Sequence, residues 1–291
     1  MAQTPGPGFT LIKSVLHPTD FSEASRVAFH HALKAALLAK SSLALLNVST
    51  NENAKWSDFP GVRETLERWG ALPNGSLKSD VGKLGIDARK IVADEKDPVD
   101  AVIRYLQHHP TDLIVLATSQ RDGRVRWLGK SVSEPVTRKG GQMTLLIPGD
   151  TEGFVHGEDG SVKLSKVLVP IAHTPPALPA VNMAARFVQK LKISTGTFVL
   201  LHIGTTNTMP ACRHPEVPGW TWQKDLRSGD VIDGIVKAAK EHAADLIVMS
   251  TDGRNGFLDA LRGSHSERVL RHGATPLLTI PVGSRMSRFL S

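Results

Sequence analysis

A long block of sequence occurs twice in this chain of 291 residues, and that repeat constrains the fold more than any other feature. The second copy runs from Asp245 to Pro281 and the first from Asp112 to Pro148, with a constant offset (245 − 112 = 133) and no gap. Upstream of the block, the same offset relates three further pairs: Asp230 and Asp97, Asp233 and Asp100, His242 and His109. A gapless repeat of this length predicts two copies of one domain.

Within each copy, strand and helix patterns alternate. In the second copy, Leu246 to Met249 is an apolar run typical of a strand buried on both faces of a parallel sheet. Ser264 and Glu267 form a capping box that predicts the start of a helix, and Leu277 to Ile280 predicts the next strand. Alternation of this kind is typical of right-handed βαβ crossovers. We therefore predict an α/β fold of two tandem, doubly wound domains.

Composition sets the predicted boundaries. Residues 1–9 form a leader rich in proline and glycine, 10–148 the first domain, 149–163 a linker rich in glycine and acidic residues, 164–283 the second domain, and 284–291 a tail. Between the copies the offset falls from 152 at Pro170 to 133 at Asp230, so the second copy is 19 residues shorter (152 − 133). We expect its segment Gly204 to Gly219 to replace two helices of the first copy.

Composition also argues against several classes of protein. No apolar run approaches the roughly 20 residues that span a bilayer, residues 1–9 lack the features of a secretory signal, and the single cysteine, Cys212, precludes an internal disulfide. We therefore expect a cytoplasmic protein without a membrane partner. The net charge of +7 is spread over both halves. Six basic residues crowd around the first copy's loop: Arg121, Arg124, Arg126, Lys130, Arg138 and Lys139. We favour a solvated basic face over a nucleic-acid site there, with nucleic-acid binding kept as an alternative.

The loop before the helix at Ser264 is the main candidate for a ligand site. A helix start presents unpaired N–H groups and a partial positive charge, which together suit a phosphate. Here they face back to the loop from Gly253 to Gly263. His265 follows at the helix start and could help to hold a phosphate. The alternatives are that Ser264 only caps the helix and that His265 is an exposed bystander.

Two segments resemble the universal stress protein family: the opening VLHPTDFSEAS and the closing DLIVM, glycine loop, Gly-Ser and ERVLR. The resemblance covers nearly the whole chain twice, which implies the tandem form of a stress-associated protein. It implies a five-stranded parallel sheet in each domain, of the adenine-nucleotide alpha hydrolase-like fold. Many members bind ATP through a loop written Gly-x2-Gly-x9-Gly-Ser or Thr, and an Asp after the first strand holds the adenine side.

Both copies depart from that family pattern. In the second copy Ser250 stands at the first glycine position while Gly253, Gly263 and Ser264 match, and Ala172 replaces the Asp. In the first copy Asp20 matches, but only Ser131 of the loop pattern survives. Other residues occupy the three glycine positions: Ala117, Gln120 and Lys130. We therefore predict that the second domain binds ATP, ADP, AMP or another phosphate ligand weakly, and that the first is mainly structural.

The predicted nucleotide-binding residues of the second domain are Ser250, Gly253, Arg254, Gly256, Gly263, Ser264 and His265. In the first domain they are Asp20 and Ser131. For Asp20 the alternative is a cap for the helix that begins beside Ser22.

Catalysis and metal binding are not predicted. The sequence has no Gly-x-Ser-x-Gly elbow and no Walker lysine motif, so we expect no catalytic residues, with weak ATP hydrolysis left open. Five residues are of types that bind zinc, without a compact zinc spacing: His173, His202, Cys212, His214 and His265. The alternative function is a scaffold that binds no nucleotide and acts through dimerisation or partner contacts. By family analogy, Met143 to Ile147 and Leu277 to Ile280 are the expected contacts between the copies.

Overall fold

The computed structural model describes residues 12–47, 55–93, 97–121, 124–126, 142–252, 268–269, 273–284 and 290. For residues 119–121 and 124–126 it describes the backbone only.

The first half contains six strands and four helices among these residues. The strands are β1 (Ser14–Thr19), β2 (Ser42–Asn47), β3 (Asp87–Val92), β4 (Leu113–Arg121), β5 (Arg124–Arg126) and β6 (Met143–Pro148). The helices are α1 (Glu23–Ala39), α2 (Val62–Arg68), α3 (Asp80–Lys83) and α4 (Pro98–His108).

The second half repeats this order with fewer helices. Its strands are β7 (Lys166–Pro170), β8 (Gly196–Ile203), β9 (Trp220–Arg227), β10 (Leu246–Thr251) and β11 (Leu277–Pro281). Its helices are α5 (Leu178–Lys190) and α6 (Val231–Glu241), with a single 3-10 turn at Thr206–Thr208. The stretch from residue 204 to 219 is otherwise irregular, as predicted.

One sheet runs through both halves, in the order β3-β2-β1-β4-β6-β11-β10-β7-β8-β9, with β5 paired to β4 outside this path. The first five and the last five strands are parallel within each half and follow the same topological order. The halves meet where β6 and β11 pair antiparallel, with Leu146 opposite Leu277 and Leu145 opposite Leu278. The predicted tandem α/β fold and the predicted contact between the last strands are confirmed.

Helices cover both faces of this sheet. On one face α1 and α5 contribute buried residues to a large apolar cluster, and on the other face α4 and α6 do the same. Both clusters contain residues of both halves. The antiparallel joint makes one continuous sheet, so the apolar clusters continue past it from one half into the other. The two copies therefore have the same strand order, but they share their apolar clusters.

Helix starts are set by local capping residues. Asp97 Oδ1 accepts hydrogen bonds from the N–H groups of Val99 and Asp100 at the start of α4. The repeated Asp230 does the same for α6, with donors at 2.8 and 3.1 Å. These aspartates are N-caps, which satisfy N–H groups that the helix leaves unpaired.

One strand differs from its prediction. The apolar run from Leu113 to Leu116 predicts a strand of four residues, whereas β4 extends to Arg121 and its last three residues pair antiparallel with β5. The backbone of the basic cluster near Arg121 is therefore partly a hairpin. Ala117 and Thr118 of the extension pair with β6 and residues 119–121 pair with β5, and the polar sequence after Ala117 does not signal the latter pairing.

No helix in the described part of the chain is both long and apolar enough to cross a bilayer.

Candidate functional site

The sheet has a switch point in each half, at which successive connections leave in opposite directions. In the second half it lies between β7 and β10, because β8 and β9 extend to one side and β11 to the other. In the first half it lies between β1 and β4. Ligands of open α/β sheets bind beyond the carboxyl ends of the strands at such points. A ligand site in the second half is therefore expected at the carboxyl ends of β7 and β10.

Ser250 lies near the carboxyl end of β10, opposite Ile280 of β11. Only 6% of its surface is exposed, and its Oγ has no hydrogen-bond partner among the described residues. A buried hydroxyl without a partner costs about 1–3 kcal/mol, so its presence at this edge calls for a reason. The equivalent residue in the first copy is Ala117, which buries no polar group.

The end of β7 lacks the carboxylate found in the first copy. Ala172 follows Ile171 and forms an isolated parallel bridge with Pro176, with a turn at residues 173–175 between them. His173 beside it is exposed. The second half therefore has no acidic side chain in the position where the family pattern places the adenine-side Asp.

Polar side chains lie at equivalent places near the carboxyl ends of β2 and β8, the strands next to β1 and β7. Pro18 and Pro170 pair with the residues immediately before Asn47 and His202. Asn47 Nδ2 donates to the carbonyl oxygen of residue 19 at 3.2 Å. His202 Nδ1 lies 3.0 Å from the carbonyl oxygen of residue 171. Each of these buried side chains thus holds the turn that follows the first strand of its half.

The ring of His202 is bonded on both sides. A carbonyl only accepts, so the contact with Ile171 places a hydrogen on Nδ1. Nε2 lies 3.0 Å from the Thr208 hydroxyl, which can donate or accept. Sequence reasoning considered His202 only as a zinc-type side chain and missed this role. The signal that could have revealed it is its register with Asn47, which is hidden by the length difference between the copies.

In the first half, Asp20 follows β1 and lies in a turn at the carboxyl edge of the sheet. Asp20 Oδ1 accepts a hydrogen bond from the Ser22 N–H at 3.0 Å, and the Asp20 side chain is exposed. The N-cap of α1 is Ser22, whose hydroxyl accepts from the Ser25 N–H. The alternative that Asp20 itself caps this helix is therefore wrong. Asp20 stabilises the turn that leads into the N-cap residue Ser22.

Next to Asp20, the carboxyl end of β1 and the start of α1 contain buried polar side chains. Thr19 Oγ1 accepts hydrogen bonds from the Ser25 hydroxyl at 2.8 Å and from the Phe21 N–H at 3.1 Å. His17 Nδ1 contacts the carbonyl oxygen of Val115 at 2.9 Å. Burial lowers the pKa of His17 to about 4, so the ring is neutral at pH 7. These groups are paired within the protein, which makes this edge a structural one.

Seven of the predicted site residues lie outside the described residues: Gly253, Arg254, Gly256, Gly263, Ser264 and His265 in the second half, and Ser131 in the first. Their roles stay predictions.

Among the residues that the structure describes, no three His, Cys, Asp or Glu side chains gather as a metal site. His214 stacks on Trp222, with ring centroids 4.7 Å apart. Cys212 Sγ contacts the carbonyl oxygen of Arg213, and burial raises the pKa of its thiol. The zinc-type residues that the structure describes thus have separate environments.

The strand order and the helices on both faces define a doubly wound α/β protein with one switch point in each half. The model of the universal stress protein family matches residues 12–148 and 211–281, which together make up more than half of the chain. The chain therefore belongs to the universal stress protein family, a class associated with stress. One matched segment falls in each half, in agreement with the tandem form.

Solved structures share the fold over nearly the whole chain. A universal stress protein from Archaeoglobus fulgidus DSM 4304 superposes with a TM-score of 0.55 at 17% identity, over 92% of this chain and 98% of its own. A functionally unknown protein from Pseudomonas aeruginosa PAO1 gives 0.56 at 13% identity, over 97% and 96%. At these identities the likeness concerns the fold. A search of curated proteins finds no match.

Proposed function

We propose that the protein binds an adenine nucleotide, or another phosphate-bearing ligand, weakly at the switch point of its second half. Ser250 carries this proposal, because its buried hydroxyl has no partner among the described residues and lies at the carboxyl end of β10. The glycine loop begins three residues later, at Gly253. A hydroxyl can donate to a phosphate or ribose oxygen, which would relieve the cost of burying it unpaired.

Weak binding follows from what the second half lacks. Ala172 cannot hold the adenine side as a carboxylate would, and Ser250 replaces a glycine that would let the backbone approach a phosphate more closely. The first half has the opposite deficit, since Asp20 is present but its loop has lost its glycines. We propose that the first half serves the fold. We propose no catalytic step. We also propose that the protein is cytoplasmic and has neither membrane nor nucleic-acid partners.

Calorimetric titration of the full chain with ATP, ADP and AMP tests this function. We expect weak binding by the unaltered protein, and a loss of affinity of roughly 5- to 10-fold in Ser250→Ala, since a hydrogen bond contributes about 1 kcal/mol. Asp20→Ala is the matched control in the other half and should leave the affinity unchanged. Absence of heat at millimolar nucleotide, or equal losses in both variants, would contradict the proposal.

A scaffold that acts through protein partners or dimerisation is the second candidate function. It is favoured by apolar side chains on the surface of the first half, namely Trp56 and Leu77, which are 62% and 68% exposed. Exposed apolar side chains of this size can contribute to a protein-binding surface. The titration separates the two candidates, because a pure scaffold would bind none of the three nucleotides.

A further inference from the structure

The segment that joins the two halves is folded and docked on the first half. We call residues 149–163 the strap. Val155 and Val162 form an antiparallel bridge, and the His156 N–H donates to the Ser161 carbonyl at 2.9 Å. The Lys163 N–H donates to the Phe154 carbonyl, also at 2.9 Å. The strap is therefore a small hairpin.

Three strap glycines lie directly against aromatic rings. A Cβ on Gly153 would fall 2.4 Å from the His31 ring, and one on Gly160 would fall 2.4 Å from the Trp69 ring. At Gly157 the nearest ring atom, on His30, would be 2.7 Å away. Contacts this close leave no room for a side chain, so the strap backbone is seated on α1 and on the residue that ends α2.

The strap also makes hydrogen bonds with the first half and ring contacts with both halves. The Gly157 carbonyl accepts from Trp69 Nε1 at 3.0 Å and from Arg68 Nη2 at 3.1 Å. The Phe154 ring packs edge-on against His31 at 4.6 Å and against Phe187 of α5 at 5.9 Å. Phe154 thus bridges a helix of the first half and a helix of the second.

His31 is the centre of this docking. It is 2% exposed, and its Nδ1 lies 2.8 Å from the Val27 carbonyl, which fixes the hydrogen on Nδ1. Its Nε2 accepts the N–H groups of Phe154 and Val155 at 3.0 and 3.1 Å. A proton on Nε2 would point at two donors and would find no acceptor. The docked strap therefore requires neutral His31.

The other buried histidines differ at this atom. His17 and His202 also direct Nδ1 at a backbone carbonyl, but a hydroxyl lies next to each Nε2, from Ser25 at 3.5 Å and from Thr208 at 3.0 Å. A hydroxyl can rotate and accept a hydrogen bond when the ring is protonated. Backbone N–H groups cannot, so His31 alone of these three loses its partners on protonation.

We propose that His31 is a pH-sensitive latch, and that protonation of its Nε2 repels the Phe154 and Val155 N–H groups and releases the strap from α1. The strap would then uncover the apolar surface between α1 and α5 that Phe154 occupies. Release needs no bond to break other than hydrogen bonds, and it is reversed when the proton leaves.

The neighbouring histidines act in the same direction as burial on the pKa of His31. The titratable groups that act on His31 are His30 on α1 and His17 on β1, and a positive charge on either disfavours a second one. Burial, Arg68 of α2 and Arg26 of α1 lower the pKa of His30, whereas Glu158 of the strap and Glu23 of α1 raise it. Burial lowers the pKa of His31 to about 4, below its ordinary value of 6.5. With a folded pKa below the released one, docking is undiminished above about pH 6.5 and is lost progressively as the pH falls toward 4.

Hydrogen exchange of the full chain at pH 7, 6 and 5 tests the latch, with protection factors corrected for the intrinsic exchange rate at each pH. We expect protection at the Phe154 and Val155 amides to fall roughly 20-fold between pH 7 and 5, if the released ring recovers its ordinary pKa. His31→Gln keeps an acceptor near the position of Nε2 but does not titrate, so its strap protection should not depend on pH in this way.

His202→Gln is the matched control, a buried histidine in the other half, and it should retain the full acid response of the strap. Three results would overturn the latch: strap protection that is constant from pH 7 to 5, the same fall in His31→Gln, or strap amides whose protection equals that of the β11 amides at every pH. The last would mean that the strap opens only when the whole protein unfolds.

Discussion

The aspartates that precede β4 and β10 hold the start of the first strand in each half. Asp245 Oδ2 accepts from the Ser165 N–H at 2.7 Å, from the Ser165 hydroxyl at 3.0 Å and from the Lys166 N–H at 2.9 Å. Asp112 Oδ2 accepts from the Lys13 N–H at 2.8 Å. Both lie at the amino ends of the strands, away from the ligand edge. The two copies therefore share an aspartate here because it has the same structural role in each, and the shared residue does not indicate a ligand site.

Replacing Asp245 tests that structural role. We expect Asp245→Ala to lower the free energy of unfolding by about 2 kcal/mol, because three donors lose a charged acceptor. Asp245→Asn retains an acceptor oxygen and should lose about half as much. Urea unfolding gives both values. A similar loss in the two variants would mean that the carboxylate contributes through something other than these hydrogen bonds.

At the same scale, the sequence indicates some site residues and hides others. Ser250 was placed at the edge by its position in the repeat and by the family pattern, but its burial depends on β11 and on the apolar cluster around it. His202 was grouped with zinc-type side chains, since its hydrogen bonds to residues 171 and 208 depend on strand register. Side-chain type alone cannot supply register, which is a non-local property.

At the scale of elements, periodicity predicted most strands and helices because apolar residues recur wherever an element is buried. The strap was missed for the opposite reason, since its glycines carry no apolar pattern and lie against the histidine rings of α1 and the ring of Trp69, which follows α2. Gly153 shows this, with a φ of +65° and a site against His31. The extension of β4 was missed because it is mainly polar and because its last three residues pair with β5.

Gly153→Ala separates backbone conformation from packing in the strap. A non-glycine residue at positive φ costs roughly 1–2 kcal/mol, and the contact with His31 should raise the total loss of stability to about 3 kcal/mol. Gly75→Ala is the matched control, since φ there is +78° but a Cβ would meet nothing within 4 Å. Thermal unfolding should therefore show a clearly larger loss for Gly153→Ala. Equal losses would mean that the ring contact adds nothing.

At the scale of the whole molecule, the pairing of β6 with β11 turns two repeats into one sheet. Leu145 and Leu278 lie opposite each other there, and both are buried. Because the apolar clusters contain residues of both halves, unfolding one half would expose core surface of the other. We therefore expect the two halves to unfold together, which the duplicated sequence alone would not indicate.

Calorimetry of Leu278→Ala tests this coupling. In the unaltered protein we expect one transition whose van't Hoff enthalpy equals the calorimetric enthalpy. Leu278→Ala should cost about 2–5 kcal/mol and, because it weakens the joint itself, should lower the van't Hoff enthalpy relative to the calorimetric one. Leu66→Ala removes an equally buried leucine from α2, away from the joint, and should lower the melting temperature while keeping the two enthalpies equal. If both variants kept a single two-state transition, the joint would not be what couples the halves.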